Sequence, residues 1–358
     1  MASTYSNLEV IVVDDGSWDG TSKIVASRFS SDPRVRLVRS SNQGKAGALN
    51  LALERARGAV VIALDADTQF RPDTIAKLVR WFADERVGAV AGNAKVGNRV
   101  NVVTRCQALE YITAQNLERR ALAALGCVTV VPGAVGAWRK EIIEQTGGFA
   151  LDTVAEDQDL TIAIQKMGYK VVFDPDAIAY TEAPDSIRTL ARQRFRWAFG
   201  TLQCLWKHRA VALRPRYGAL GLIAWPQVLI FQVLFSILSP LIDLALLCQI
   251  AGALLDYFYH GDQSADSNYL YITAIYYAVF MLADIGGAVV AFAMEKGEKW
   301  KLMWCLVLQR DGYRQLSYYV VIRAILSACR GLLVGWGKLD RKATVVDVDM
   351  DAEMETSP

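Results

Sequence analysis

The first half of the chain alternates short apolar runs with longer amphipathic segments. Runs rich in β-branched residues occur at residues 8–13 and 60–64, and they predict strands that are buried on both faces of a sheet. Segments 21–30 and 46–56 lie between these runs and have the composition of helices, with a weaker strand at 35–38. This order of strands and helices predicts an α/β domain with a doubly wound, mostly parallel sheet.

The alternation continues further along the chain. Strands are predicted at residues 87–93 and 171–173, and helices at residues 72–82 and 100–125. In open sheets of this kind, ligands bind beyond the carboxyl ends of the strands. Acidic residues follow two of the predicted strands, so a site is expected at that edge of the sheet.

From about residue 217 the pattern changes to long apolar runs. A hydrocarbon core needs about 20 apolar residues per helix, and most of these runs are long enough to cross a membrane. The alternative is that they are buried helices of a large soluble bundle. The runs are residues 219–238, 241–255, 269–294 and 315–334, of which the second is marginal in length.

The orientation of these runs is ambiguous. Basic residues lie before the first run and after the last, which places both flanks on the cytosolic side and requires an even number of spans, hence four. The basic segment 295–314 would then face outward, against the same rule. The conflict disappears if residues 219–255 cross only once and a later segment lies flat at the interface. The sequence leaves both arrangements open.

Composition narrows the classes of function. The 358 residues are 53% hydrophobic and 21% charged, with a net charge of +2 and a mean hydropathy of +0.20. No nucleic-acid partner is expected, because the net charge is near zero and no basic patch runs through the first half. The six cysteines form no C-x-x-C pair and only two histidines are present, which argues against zinc sites and most catalytic triads. Any catalysis would therefore depend on carboxylates, lysines or a metal held by oxygen atoms.

Residues 1–13 lack the pattern of a signal peptide, so the first half is expected in the cytosol.

Acidic residues stand at two strand ends. Asp14 and Asp15 begin the stretch Asp-Asp-Gly-Ser, and Asp65 and Asp67 form an Asp-x-Asp pattern. Because Asp, Gly and Ser are ordinary turn residues, each stretch is also compatible with a plain polar turn. Two acids one residue apart can instead place oxygens on a hard divalent cation, which in turn can hold a diphosphate.

Lys45 follows a glycine at a predicted helix start, in the stretch Asn-Gln-Gly-Lys-Ala. The stretch is not a phosphate loop, because the second glycine and the hydroxyl residue of that motif are missing. A helix N-terminus and a lysine both attract anions, so a phosphate near Lys45 is still favoured.

Glu156, Asp157 and Asp159 precede an apolar helical pattern. Acidic residues are common in the first turn of a helix, where they interact favourably with backbone N–H groups, and that interpretation competes with a functional one. A carboxylate at this position could equally act as a general base for a hydroxyl nucleophile.

Gln193, Arg196 and Trp197 combine an amide, a cation and an indole at helical spacing. Guanidinium groups pair with phosphate and indoles stack on the apolar faces of sugars, so the group suits a site for both. The surrounding basic and aromatic residues also fit an amphipathic helix on a membrane surface. The two interpretations are compatible.

The order of these motifs along the chain resembles the processive branch of glycosyltransferase family 2. The order is Asp-Asp-Gly-Ser, Asn-Gln-Gly-Lys-Ala, Asp-Ala-Asp, Ala-Glu-Asp and Gln-Arg-Phe-Arg-Trp, followed by membrane helices. This group includes cellulose, chitin, hyaluronan and poly-N-acetylglucosamine synthases. The resemblance covers about residues 8–210 in motifs and extends to the C-terminal membrane layout. Residues 107–140 look like the versions found beside polysaccharide deacetylase domains in bacterial fusion proteins.

The resemblance implies a domain organisation. A nucleotide-sugar-binding α/β domain of the glycosyltransferase A type, with a mostly parallel sheet, would cover residues 1–190. An interfacial amphipathic helix at 191–216, transmembrane helices at 217–335 and a cytosolic tail at 336–358 with a disordered end would follow. A multi-pass protein of the cell membrane with a cytosolic catalytic domain is implied.

The resemblance also implies roles on the donor side. Asp14 and Asp15 would contact the uridine of a UDP-sugar, and Lys45 would lie near the nucleotide. Asp65 and Asp67 match the Asp-x-Asp that binds Mg²⁺ or Mn²⁺ and through it the diphosphate, with Asp67 as the more direct ligand.

On the acceptor side, Asp157 matches the last acid of the family's Thr-Glu-Asp motif and would be the general base that deprotonates the acceptor hydroxyl. Ala155 stands in place of the threonine. Arg196 would help to hold the diphosphate. The residues implied in acceptor binding are Gly133, Glu156, Gln193 and Trp197.

These roles imply an inverting transfer of a sugar from a UDP-sugar, UDP-N-acetylglucosamine by the resemblance, to a growing β-linked polysaccharide. Membrane lipid and a deacetylase or export protein would be further partners. The family completes its uridine pocket with an earlier strand ending in a Pro-x-Tyr-Asn-Glu type loop, and nothing before Leu8 matches it. The chain is therefore expected to be truncated at its N-terminus.

Two other functions stay open at this point. The chain could be a non-catalytic fragment or subunit that needs another chain to complete its nucleotide site. A dolichyl or polyprenyl phosphate sugar transferase ranks lower, because it would not be expected to carry Gln-x-x-Arg-Trp.

Overall fold

The structure is a computed structural model that describes residues 2–260, 267–295, 297–331 and 344–345. Within these residues the strands form two sheets. The strands are β1 (Val10–Asp15), β2 (Val35–Ser40), β3 (Val60–Ala63), β4 (Thr68–Phe70), β5 (Val87–Val96), β6 (Gly136–Arg139) and β7 (Lys170–Thr181).

Helices connect the strands and then dominate the second half of the described chain. The earlier ones are α1 (Thr21–Phe29), α2 (Gly44–Arg55), α3 (Thr74–Val79), α4 (Val102–Glu110), α5 (Leu117–Ala124), α6 (Lys140–Thr146), α7 (Glu156–Lys166) and α8 (Ile187–Lys207). The later ones are α9 (Trp225–Gln227), α10 (Phe235–His260), α11 (Ser267–Met294), α12 (Cys305–Leu308) and α13 (Arg314–Cys329). Turns of π-helix occur at Tyr111–Asn116, Leu220–Ala224, Val228–Leu234 and Gln309–Tyr313, and turns of 3-10 helix at Arg80–Ala83, Arg209–Val211, Pro215–Tyr217 and Trp300–Trp304.

The prediction of an α/β domain is confirmed, but the sheet is mixed rather than mostly parallel. β1 pairs with β2 in parallel, and the second sheet has the order β3-β6-β5-β7-β4. In that sheet β5 and β7 run parallel, whereas β6 pairs antiparallel with β3 and β5, and β4 pairs antiparallel with β7. The prediction of a mostly parallel sheet was wrong because β4 and β6 have only 3 and 4 residues, too few to show a strand pattern in the sequence.

β5 is the centre of the fold. Each of its residues is buried, because the strand is covered on both faces. One face packs against α4, the π-helical turn after it and the end of α11, where Leu109, Ile112 and Phe292 join the core. The other face packs against α2, α6 and α7 around the buried Trp138. Two helices that carry predicted site residues, α2 and α7, therefore rest on the same face of the sheet.

Two helices in the described part of the chain are long and apolar enough to cross a membrane, by length and composition alone. They are Leu220–Leu255, with 36 residues, and Ala274–Met294, with 21 residues. The first corresponds to about 54 Å of helix at 1.5 Å per residue, well above the roughly 30 Å of a hydrocarbon core. Its first turns pack against α7 and α8 through Leu220, Ala224 and Trp225, so its N-terminal end lies on the α/β domain.

Pro240 lies between the apolar runs 219–238 and 241–255, and α10 continues through it. Membrane helices tolerate proline because neighbouring groups satisfy the carbonyl that it leaves unpaired. Residues 220–255 thus form one helix, as in the single-crossing arrangement. The last predicted span, 315–334, corresponds to α13, which has 16 residues and ends at Cys329; residues 332–334 lie outside the described residues.

A buried ion-pair network joins the end of α11 to the sheet. Lys95 of β5 lies 3.1 Å from a carboxylate oxygen of Glu295 and 3.1 Å from one of Glu298. Arg120 of α5 pairs with Glu295 at 2.9 Å, and Arg99 pairs with Glu298 at 2.8 Å. Because buried charges are stable only when they are paired, this network anchors the segment after α11 on the central strand.

The substitution Glu295→Gln should therefore destabilise the fold. It leaves the buried Lys95 with one carboxylate and Arg120 with none at ion-pair distance among the described residues. Removing one partner of a buried pair typically costs about 3–5 kcal/mol. Thermal unfolding of the full chain in detergent would show this as a lower Tm. The control Glu54→Gln changes an exposed side chain and should stay within about 0.5 kcal/mol of the parent; equal Tm values for the two variants would contradict the anchoring role.

Candidate active site

Asp15, at the end of β1, caps α2. Its Oδ1 accepts a hydrogen bond from the backbone N–H of Gln43 at 2.7 Å, and its Oδ2 accepts one from that of Gly44 at 2.9 Å. Such N–H groups lack partners at a helix start, and the helix dipole further stabilises a carboxylate there. Gly44 has a φ of +78°, a conformation that favours glycine. Asp15, predicted as a uridine contact, thus also fixes the start of α2 against β1.

Lys45 is the second residue of α2 and lies between two carboxylates. Its Nζ is 3.0 Å from Oδ1 of Asp65 and 3.1 Å from Oε1 of Glu156. Burial by itself would lower the pKa of Lys45, but the charges of Asp65, Glu156 and Asp157 raise it above its ordinary value. The ammonium group therefore stays charged and joins α2 to the turn after β3 and to the start of α7.

Gly133 and Asp157 lie beside this lysine. The Gly133 N–H donates to Oδ2 of Asp157 at 3.1 Å, and the Gln158 N–H donates to Oδ1 at 2.8 Å. A Cβ atom at residue 133 would lie 2.7 Å from Nζ of Lys45, closer than van der Waals contact allows. The glycine thus lets the backbone approach both the lysine and the carboxylate. The predicted residues that the structure brings together here are Lys45, Asp65, Gly133, Glu156 and Asp157.

The two neighbouring acids of α7 have different environments. Glu156 is 2% exposed, and burial raises its pKa although Lys45 opposes the shift. Asp157 is half-buried, and its oxygens accept hydrogen bonds from backbone N–H groups. Such a difference in environment allows adjacent carboxylates to take different roles in proton transfer.

Asp65 and Asp67 lie in the tight turn between β3 and β4. The Thr68 N–H donates to the carbonyl of Asp65 at 2.9 Å, and Thr68 Oγ1 donates to Oδ1 of Asp67 at 3.3 Å. Within the described residues, no three His, Cys, Asp or Glu side chains form a group that could hold a metal ion. The turn therefore offers a pair of carboxylates, a donor set that fits Mg²⁺ or Mn²⁺ held jointly with a substrate diphosphate.

A cavity of about 400 Å³ lies beside Asp14. Asp14 is buried, and its carboxylate accepts hydrogen bonds from the hydroxyl of Ser22 and from the backbone N–H of Ser17. These two contacts hold the pKa of Asp14 below its usual range. The cavity thus has a fixed negative charge in its wall.

Three further residues that line this cavity were missed by the sequence analysis: Trp18, Lys23 and Arg39. The indole of Trp18 is 91% exposed, and a tryptophan inside a polar turn was the available signal. Arg39 carried no local signal, because its place beside Asp14 depends on the register of β2 against β1. An aromatic ring and two cations suit a ligand that contains a base and phosphates.

α8 packs across the start of α7. A Cβ atom at Gly200 would lie 2.6 Å from Cβ of Ala155, so the two helices approach closely at a glycine. Thr201 Oγ1 donates to Oε1 of Gln158 at 3.0 Å. Ala155, the residue in place of the family's threonine, therefore lies directly against α8.

The three predicted residues of α8 differ in exposure. Gln193 and Arg196 are buried, and they share a helix face with Gly200 because residues three, four and seven apart lie on one side. Trp197 is 39% exposed, and the guanidinium of Arg194 lies 4.4 Å from its ring centroid. Gln193 and Arg196 are thus on the face of α8 that meets α7, whereas Trp197 is at the surface.

Asp159 and His208 form a second link between α7 and α8, which the sequence analysis did not predict. His208 Nε2 lies 2.8 Å from Oδ1 of Asp159, and Lys207 Nζ lies 3.1 Å from Oδ2. Burial alone would raise the pKa of Asp159, but the hydrogen bond from His208 and the charge of Lys207 lower it overall. Asp159 and His208 are 49 residues apart, so no local pattern could reveal the pair.

The fold and the site together define a glycosyltransferase domain. Asp14, near the end of β1, lines a cavity with an indole and two cations. Lys45 joins Asp65, which follows β3, to the start of α7, where a half-buried carboxylate lies beside a glycine. Residues 1–147 match the family model described as Glycosyl transferase family 2, so the chain carries a domain of this family. The predicted resemblance to this family is thereby confirmed for residues 1–147.

The chain is also similar to individual proteins of this kind. It is 27% identical over 240 residues to the poly-beta-1,6-N-acetyl-D-glucosamine synthase of Staphylococcus aureus. The aligned region covers 66% of this chain and 57% of that protein. The synthase of the same description from Staphylococcus epidermidis is 26% identical over 257 residues, 71% of this chain and 61% of that protein. This chain therefore spans less than two thirds of the length of these relatives.

A solved structure has a similar fold. It is a mannosyltransferase from Pyrobaculum calidifontis in complex with GDP-Man and Mn²⁺, with a TM-score of 0.59 and 26% sequence identity. The match covers 82% of this chain and 81% of that one, so it extends beyond the matched family domain into the later helices.

The substitution Lys45→Met should destabilise the chain by about 3 kcal/mol at neutral pH, because it leaves the buried Glu156 without its cation. The pKa of Glu156 in the folded variant would rise further above the unfolded value of about 4.3. A carboxyl pKa that is raised by folding contributes stability that is fully present below the unfolded pKa and is lost as the pH rises through the folded pKa. The Tm loss should therefore be smaller at pH 4.5 than at pH 8. Lys170→Met, at an exposed position, is the control; a loss that does not change with pH would contradict the pairing with Glu156.

Proposed function

We propose that this chain is a membrane-embedded, inverting glycosyltransferase that transfers N-acetylglucosamine from UDP-N-acetylglucosamine to a growing β-linked polysaccharide. The observation that carries the proposal is the contact of Lys45 with Asp65 and Glu156, next to Gly133 and Asp157. Residues expected on the donor and acceptor halves of such a reaction meet in that contact. The similarity to poly-beta-1,6-N-acetyl-D-glucosamine synthases supports the sugar and the polymer.

The nucleotide would occupy the cavity beside Asp14. Trp18 offers an aromatic face for the uracil ring, and Lys23 and Arg39 offer cations for the phosphates. Asp14, whose lowered pKa keeps it ionised, would accept hydrogen bonds from the uridine. The similar mannosyltransferase, which binds GDP-Man and Mn²⁺, supports a nucleotide-sugar donor and a divalent cation.

Asp65 and Asp67 would hold Mg²⁺ or Mn²⁺ together with the diphosphate. When bound, the cation supplies charge neutralisation at the leaving group. Lys45 provides a fixed positive charge on the same side, because its Nζ already lies against Asp65. Arg196, on the face of α8 that meets α7, would add a second positive charge for the diphosphate.

Asp157 would act as the general base. An α-linked donor attacked in line by a hydroxyl yields a β-linkage, so a single base suffices to remove the proton of the nucleophile. The Gly133 N–H, 3.1 Å from Oδ2 of Asp157, holds the carboxylate in place. The acceptor chain would lie against Gly133, Glu156, Gln193 and Trp197.

The protein would be a multi-pass protein of the cell membrane with its catalytic domain in the cytosol. The two long apolar helices support the membrane location, and the basic residues before Leu220 support the cytosolic side. A deacetylase or export protein as a partner rests on the family resemblance alone.

The substitution Asp157→Asn should abolish polymer formation and leave UDP binding intact. An amide cannot take the proton of the acceptor hydroxyl, and general-base catalysis typically contributes about 10²- to 10⁴-fold in rate. Membranes that contain the full chain are incubated with radiolabelled UDP-N-acetylglucosamine and Mg²⁺ or Mn²⁺, and polymer is counted; UDP binding is measured separately by calorimetry.

The matched control is Asp152→Asn, which changes an exposed acid paired with Lys207 and should leave the polymerisation rate unchanged. GDP-mannose is tested in parallel, because the similar mannosyltransferase makes it the rival donor. Incorporation of mannose instead of N-acetylglucosamine would overturn the proposed sugar. An Asp157→Asn variant as active as the parent would overturn the assignment of Asp157 as the general base.

A second candidate function is a non-catalytic subunit that needs another chain to complete its nucleotide site. Among the described residues, the cavity beside Asp14 is lined by residues 14–23 and 39–40 alone, which is the observation in its favour. Micromolar binding of UDP by the chain alone would support the proposal that it is an enzyme. If the parent chain binds UDP no more tightly than the Asp14→Asn variant does, the result would support the non-catalytic subunit.

The substitution Trp18→Ala should weaken UDP binding. Loss of one base-stacking contact typically costs about 1–3 kcal/mol, or roughly 5- to 150-fold in Kd. Calorimetry with UDP measures the change, and Trp206→Ala, which removes another exposed indole, should leave Kd unchanged. Equal Kd values for the parent and Trp18→Ala would place the base elsewhere.

A further inference from the structure

After α11 the chain returns to the α/β domain in residues 300–309. The inner side of this segment packs on the core of the sheet, where Leu302 and Cys305 are buried. Gln309 Nε2 also donates a buried hydrogen bond to the carbonyl of Cys106 in α4 at 2.6 Å. One side of the segment is therefore fixed against the domain by apolar contacts and by this hydrogen bond.

The other side of this segment is apolar and exposed. Trp300 and Trp304 have exposed fractions of 52% and 53%, and Val307 and Leu308, which follow them along the chain, are also exposed. Single exposed apolar residues are ordinary, but groups of large ones mark surfaces that bind a membrane or another protein. These four residues are the outer face of the segment.

The outer face adjoins the end of α11. The ring of Trp300 packs on that of Phe292 in the last turn of α11, with 5.7 Å between the ring centroids. α11 includes Ala274–Met294, which is long and apolar enough to cross a membrane. Indoles concentrate where such helices leave the hydrocarbon, because the ring is apolar and its N–H group is polar. Trp300 is thus at the level where a bilayer around α11 would end.

Two exposed cations accompany the outer face. Lys301 lies within the segment, and Arg105 lies on α4 next to Cys106, on which the segment packs. The glutamates that precede the segment, Glu295 and Glu298, are buried and paired with cations of the domain. Indoles and cations together bind bilayers with anionic headgroups. A bilayer is favoured over a protein partner, because the face adjoins a helix that is itself apolar and mostly exposed.

We propose that the outer face binds the surface of a bilayer that contains anionic lipids, with the indoles of Trp300 and Trp304 at the level of the headgroups and with Lys301 and Arg105 against the lipid phosphates. Because the ion-pair network at Lys95 fixes the start of this segment on β5, the contact also sets the distance between the bilayer and the α/β domain. The inference rests on the membrane location in the proposed function and names the lipid class and the residues that bind it.

The test replaces Trp304 with the photoreactive residue p-benzoylphenylalanine in the full chain, which is reconstituted in vesicles of equal parts phosphatidylglycerol and phosphatidylcholine. After irradiation, mass spectrometry identifies the crosslinked molecules. Phosphatidylglycerol should exceed phosphatidylcholine roughly fivefold or more, and the additional substitution Lys301→Gln should lower this ratio roughly fivefold, the effect of one cation at an anionic surface. Lys170→Gln, at an exposed position on β7, is the matched control and should leave the ratio unchanged. The same photoreactive residue in place of the exposed Trp18 should crosslink no lipid.

A crosslink from residue 304 to a polypeptide, or none to lipid, would overturn the proposal. Equal crosslinking of the two lipids would also overturn it, because the surface would then have no preference for anionic headgroups. Extraction of the vesicles with alkaline carbonate separates this result from the proposed function. A chain that carbonate removes, but that crosslinks phosphatidylglycerol from residue 304, would contradict the membrane-embedded transferase and uphold the outer face. A chain that resists carbonate and transfers sugar without this crosslink would contradict the outer face alone.

Discussion

The site depends on one ammonium group shared by two carboxylates. Lys45 lies 3.0 Å from Asp65 and 3.1 Å from Glu156, and these residues belong to α2, to the turn after β3 and to α7. The helices α2 and α7 pack on the sheet through their apolar faces, but apolar packing tolerates small shifts, whereas a buried charge pair does not. Asp15 in turn fixes the start of α2. The geometry around Asp157 is therefore a consequence of charge pairing as much as of hydrophobic packing.

Local patterns in the sequence predicted the parts of the fold that neighbouring residues determine. The apolar runs predicted β1, β3 and β5, and the Gly44-Lys45 pair predicted the start of α2. The roles of Asp15 and His208 could not be predicted in the same way. Asp15 bonds a residue 28 positions away, and His208 bonds one 49 positions away, so each contact exists only once the sheet and its helices have assembled.

Two features that the sequence did not determine also have a physical reason. β6 has 4 residues and lies antiparallel between β3 and β5, so its place in the sheet comes from packing rather than from propensity. Pro240 would normally end a helix, yet α10 continues through it. The effect of a proline depends on whether its surroundings satisfy the carbonyl that it leaves unpaired, and the sequence does not contain that information.

The ion-pair network at Lys95 has a consequence for how the molecule can be divided. Glu295 and Glu298 follow α11, whereas Lys95 belongs to the centre of the sheet and Arg120 to α5. Apolar residues near the end of α11, among them Phe292, belong to the core of the same sheet. A chain cut before α11 would retain the cations of this core and lose their carboxylates. The α/β domain is thus not a module that can be separated from the later helices, because the long apolar helix α11 and the segment after it also complete its interior.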